Sequence, residues 1–184
     1  MLTISMTKNQ IKNKVYDCIT FYQANMLFQL RFEILKDVVD YFVICEANKS
    51  HTGLKKEFNF NPKIPEKYKD KIIYIKVTDL PDIKIKGKKD YKLLSLQMEN
   101  LFKGIKSASQ NDLIIFSDED EIPNPNIINS FNYKKYKFGI FLQNMYYYKL
   151  NIMNIDEGNG NWAGSRICQK KNLKSFFKLR LLKI

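Results

Sequence analysis

The chain has 184 residues, 45% of them hydrophobic, which suits one domain with a real core. Its longest apolar runs, such as VVDYFVIC, fall far short of the roughly 20 residues of a membrane helix, and the N-terminus MLTISMTKNQIKNK lacks the apolar stretch of a signal peptide, so the expected compartment is the cytoplasm. The net charge of +12 rests on 28 lysines and only three arginines, which argues for AT-rich codon usage and against specific nucleic-acid recognition, while leaving salt-sensitive attraction to polyanions or peripheral contact with an anionic membrane.

In chain order, KVYDCITF alternates and is rich in β-formers, QANMLFQLRFEILKDV carries Met26, Leu27, Leu30, Ile34 and Leu35 at helical spacing, and VDYFVICEA is a continuous apolar run: strand, helix, strand. The polar, proline-bearing NKSHTGLKKEFNFNPKIPEKYKD reads as a long loop with one helical turn, leading to the strand KIIYIKV. From Asp90 to Ser109, Leu93, Leu94, Leu96, Leu101 and Ile105 predict one broad helix face, followed by the strand DLIIF. IPNPN then turns the chain away, and KFGIFLQNMYYYKLN and NWAGSRICQK read as later strand arms. Strands separated by helices predict an α/β fold with a mostly parallel sheet flanked by helices. Cys18, Cys45 and Cys168 are scattered and read as reduced, buried thiols.

Ligands of such sheets gather at the carboxyl ends of the strands. Three segments converge there: TFYQ, EANKSHTG and SDEDEIP. If the last stays extended, Asp118 and Asp120 face one side and Glu119 and Glu121 the other. Two aspartates facing one space repel unless a cation sits between them, and hard oxygen ligands suit Mn²⁺ or Mg²⁺, which in turn seek phosphate oxygens. An EF-hand is excluded, because Pro123 stands where its loop needs glycine. Glu46, at a strand end, is placed to accept from a ribose hydroxyl or to cap a loop; Asp17, inside the first strand, reads as structural.

The segments VYDCITFY, LRFEILKDVVDYFVICEANKSHTG, KIIYIKV and DLIIFSDEDEIPNP resemble glycosyltransferase family 17, the family of β-1,4-mannosyl-glycoprotein N-acetylglucosaminyltransferases. The likeness runs from about Val15 to about Asn126 and continues more faintly through NMYYYKLN and NWAG. It implies a GT-A type nucleotide-diphospho-sugar transferase fold over 15–184 behind an N-terminal extension, 1–14. It also implies a UDP-sugar donor, UDP-N-acetylglucosamine, transferred with inversion to a glycan acceptor, with Asp118 and Asp120 matching the family's Asp-Val-Asp-Glu-Ile-Pro motif. Where the family reads Asn-Glu-Leu-Asp-Leu-Leu-Glu-Leu-Arg, this chain has QANMLFQLR, keeping Arg31 but placing Ala24, Met26 and Gln29 at acidic positions; the family's Gln-Arg-Asn is Gln97, Met98, Glu99. The sequence ends with FFKLRLLKI, shorter than the family leads one to expect, so the expectation is a domain lacking its C-terminal part, with the donor half kept and little transfer by the chain alone.

The expected donor contacts are Thr20, Phe21, Glu46, His51 and Asp118, the metal ligands Asp118 and Asp120, and the acceptor-activating base Asp156 or Glu157 in NIDEGNGN. His51 reads equally as a surface loop histidine, and Trp162 and NMYYYK as sugar-stacking faces or as core. The rival functions are a nucleotide-sugar-binding remnant of a transferase and a metal-dependent nuclease or phosphotransferase, for which further dispersed acids are not found.

Overall fold

A computed structural model describes residues 13–83, 91–146, 152–154 and 161–183. The four apolar runs form β1 (Val15–Phe21), β2 (Tyr41–Ala47), β3 (Ile72–Val77) and β4 (Leu113–Asp118), mutually parallel where they pair. Two later strands, β5 (Phe138–Asn144) and β6 (Asn161–Gln169), complete a six-stranded sheet in the order β3-β2-β1-β4-β6-β5, with β6 antiparallel to both its neighbours. The fold is therefore α/β with a mostly parallel sheet, as expected, and its helices lie on both faces.

Burial on both faces explains why β1, β2 and β4 read as nearly unbroken apolar runs. Cys18, Val43, Cys45, Ile114 and Phe116 point toward α2 (Lys92–Glu99) and α4 (Phe176–Arg180). Ile19, Phe42, Ile44 and Ile115 point toward α1 (Asn25–Leu35) and α3 (Pro125–Ser130). All three cysteines are buried and free, as expected.

Two helical expectations need correction. In α1 the buried face is Phe28, Arg31, Phe32 and Leu35, whereas Met26 is 81% exposed and Leu30 and Ile34 also face outward. Aromatic packing outweighs the aliphatic stripe: Phe32 meets Phe42 at 5.3 Å and Phe28 meets Phe60 at 4.9 Å between ring centroids. The single helix expected to reach Ser109 is instead α2, a tight 3-10 turn over Asn100–Lys103, and Gly104. At Gly104 the chain lies so close to Val43 and Ile75 that a β-carbon would collide with them, and Leu96 turns outward. The turn-away after β4 holds: Asn124 caps α3 by accepting from the Asn126 amide, and Pro125 takes its first position.

Candidate functional site

In the sheet register Thr20 stands beside Asp118 and Phe21 beside Glu46, so the carboxyl ends of β1, β2 and β4 are level. Over them opens a cavity of about 390 Å³. Thr20, Phe21, His51, Asp118 and Asp120 from the sequence reading all line it, together with Glu119. Lys49 and Lys56, which sequence reasoning did not single out, line it as well, as does Gln97, the first residue at the family's Gln-Arg-Asn. The Phe21 ring turns into the core, 5.1 Å from Phe60, so its backbone carries its part of the wall. Asp156 and Glu157, and Tyr147 to Lys149 of NMYYYK, lie outside the described residues.

The acidic stretch does not stay extended. β4 ends at Asp118 and the chain turns at once, the Glu121 amide donating to the Asp118 carbonyl at 3.2 Å. Each carboxylate therefore takes its own direction. Glu119 accepts from the Tyr22 amide at 3.1 Å and faces the amides leading into α1; burial raises its pKa, and those amides partly offset the rise. Asp120 is exposed at the cavity edge. Glu121 folds back into the protein, accepting from Trp162 Nε1 at 2.6 Å and from the Asp118 amide at 3.2 Å. The expected pairing of Glu119 with Glu121 on one side gives way to a convergence of Asp118 and Glu121.

They converge on Arg180. Its guanidinium lies 2.7 Å from Asp118 Oδ2 and 2.9 Å from Glu121. α4 brings it there: the Ser175 hydroxyl caps that helix by accepting from the Lys178 amide, and Glu99 accepts from Ser175 Oγ at 2.6 Å and from the Phe177 amide at 3.1 Å. Glu99, a departure from the family pattern, is thus the anchor of α4. Burial is the larger influence on Asp118 and pushes its pKa up to about 6; Arg180 pulls it down, and Glu121 and Asp120 push it up.

Beneath the turn lies Arg31, fully buried. It grips Asp17 with two bonds, Nε to Oδ2 at 2.7 Å and Nη2 to Oδ1 at 2.6 Å. It also donates to Ser117 Oγ at 2.5 Å and to the Asp118 and Glu121 carbonyls at 3.3 and 2.9 Å. Asp17 is therefore the structural acid it was read as, and Arg31 shapes the turn from below.

Glu46 departs from its expected role at a ribose. It is fully buried, and both oxygens are occupied: Oε1 by Lys56 Nζ (2.5 Å) and the Asn59 amide (2.7 Å), Oε2 by the Phe60 amide (3.0 Å) and Tyr74 OH (2.5 Å). Those bonds pin the loop that forms the far wall, which is the loop-capping alternative. His51 is exposed in that loop, near the positive-φ Gly53. Lys49 is paired with Asp82 at 2.7 Å. Trp162 is 42% exposed, its indole N–H held by Glu121.

Fold and site together define an α/β protein with a cavity at the carboxyl ends of its parallel strands, lined by acids and lysines. The sequence profile of glycosyltransferase family 17 matches residues 4–165, most of the chain, and the chain belongs to that family: it is a glycosyltransferase, an enzyme of sugar transfer. No curated protein sequence matches it. A solved structure titled 4-diphosphocytidyl-2C-methyl-D-erythritol synthase is similar at 11% identity and a TM-score of 0.49, covering 94% of this chain and 82% of its own.

Proposed function

We infer that the chain transfers a sugar, N-acetylglucosamine, from a UDP-sugar to a glycan hydroxyl with inversion. The observation that carries this reading is the cavity at the ends of β1, β2 and β4, where Asp118 and Asp120 face a wall bearing Lys49, His51 and Lys56. Such a space has the size of a small-ligand site, and Lys49, whose ammonium spends two of its three donors on Leu80 and Asp82, has one left for a phosphate oxygen.

A divalent cation fits the donor set in kind. Asp118 and Asp120 are hard oxygen ligands at one cavity edge, and among the described residues no third acid, histidine or cysteine completes a cluster with them. A Mg²⁺-like ion bound by one or two carboxylates fills its shell with phosphate oxygens and water. Mn²⁺ or Mg²⁺ held there would supply charge neutralisation for the leaving diphosphate. The chain's own residues do the rest: Arg31 and Glu121 hold the turn that presents Asp118, Arg180 holds the Asp118 carboxylate, and the pinned loop closes the far side. Asp156 and Glu157 remain the candidates for deprotonating the acceptor hydroxyl.

The test is calorimetry of UDP and of UDP-, GDP- and CMP-sugars with and without Mn²⁺, followed by mass spectrometry of mannose- and glucose-terminated acceptors mixed with UDP-N-acetylglucosamine. UDP binding that needs Mn²⁺ and weakens in Asp120→Asn is the expected result. Affinity for UDP unchanged by both the metal and that substitution would reject the carboxylate clamp.

A further inference from the structure

Away from the strand ends, a second hollow of about 380 Å³ lies between the start of β5 and the segment carrying α4. Its floor is apolar: Leu173 and Leu179 are buried there, with Leu182 beside them and Phe138, 40% exposed, at the lip. Lys137, Lys171, Lys174 and Lys178 rim it, all exposed, and none of its lining residues is acidic, in a chain with 31 basic and 19 acidic residues. Among the described residues none of these four lysines makes an ion pair, whereas Lys36, Lys49, Lys56 and Lys69 each pair with a carboxylate. The stretch from Lys170 to Lys183 holds five lysines and no acid, and Leu181, just past α4, is 57% exposed.

We propose that this face docks on an anionic membrane surface. Lysines lay their alkyl stems along apolar surface while their ammonium groups reach outward, here toward lipid phosphates. Phe138 and Leu181 then meet the boundary between headgroups and acyl chains, the arrangement of peripheral proteins that combine charge with a small apolar insertion. Other occupants fit less well. A nucleic acid would use the lysines and leave the apolar floor wet. A second copy of the chain would bring the same positive rim against it.

The experiment is co-sedimentation of the full chain with vesicles of phosphatidylcholine alone or mixed with phosphatidylglycerol, with circular dichroism confirming that each variant folds. The chain should sediment only with the anionic vesicles. Lys174→Gln with Lys178→Gln should lower the partition about fivefold per lysine. Phe138→Ser with Leu181→Ser should lower it further, while Lys67→Gln with Lys69→Gln, exposed on the 3-10 turn before β3, should leave it within about twofold. The proposal would be overturned by no vesicle binding, equal binding to neutral vesicles, equal losses in the groove and control pairs, or displacement from vesicles by duplex DNA at matched phosphate. Concentration-dependent dimerisation abolished by Phe138→Ser would overturn it in favour of self-association.

Discussion

At the scale of single residues, the three arginines tell the most. In a chain that writes almost every cation as lysine, each arginine sits where a planar, forked donor is used: Arg31 on Asp17, Arg180 across Asp118 and Glu121, and Arg166 on the Ala163, Gly164 and Leu182 carbonyls. That scarcity was a signal available in the sequence for Arg180, which motif reading missed. Arg31→Met should cost about 3–5 kcal/mol in urea denaturation, because it leaves the Asp17 carboxylate buried without its partner. Adding Asp17→Asn should recover part of the loss, and full additivity of the two changes would contradict the pairing. Asp118 carries a pH dependence. In the folded chain it keeps its proton up to about 6, whereas its ordinary value is 3.8, so the folded state holds more protons between those values and stability falls as pH rises through that window. Measured against Asp118→Asn, wild-type stability should decline from about pH 4 to about pH 6 and then level off. A difference that stays flat with pH would mean that the carboxyl is not held protonated by burial.

At the scale of elements, α4 is short but occupies a decisive place. Its five residues are fixed from one side by Phe176, whose ring lies 4.9 Å from Phe102 and 5.6 Å from Phe116, and at its start by Ser175 and Glu99. Ser175→Ala should destabilise the protein by about 1 kcal/mol, the usual cost of an N-cap. It should also speed amide exchange through Phe176–Arg180 more than in α1, since exchange follows the local opening of an element. Equal protection of α4 in wild type and variant would show that the helix is held by its ring contacts alone. Strand existence was legible because strands buried on both faces carry apolar residues at almost every position. The buried face of α1 was not, because several apolar stripes were available and contacts with Phe42, Phe60 and Asp17, distant in sequence, chose among them.

For the molecule as a whole, charge and fold point different ways. Among the described residues no helix is long and apolar enough to cross a membrane. With all three arginines committed internally, contact with DNA is left to lysines, which read phosphate rather than base edges. Fluorescence anisotropy with duplexes of scrambled sequence should give weak binding that falls steeply with added salt and ignores sequence. A tight, sequence-selective complex at physiological salt would require a reading surface that these side chains do not supply.

By itself the sequence determined the succession of parallel strands along the chain, the turn after β4, the family, and the placing of the densest acids at a strand end, because strand periodicity, proline chemistry and motif are local properties of the chain. Only the tertiary structure decided what each acid does. An extended SDEDEIP would have put Glu119 and Glu121 together on the face opposite Asp118 and Asp120; instead the chain turns at Asp118, so that Glu119 meets the start of α1, Glu121 meets Trp162, and Arg180 reaches back across 62 residues to Asp118. Glu46, equally strand-terminal in sequence, was claimed by Lys56, Tyr74 and two loop amides. The reason is physical: a buried carboxylate takes whichever donors the packing brings within about 3 Å, and partners so far apart along the chain leave no periodicity to read.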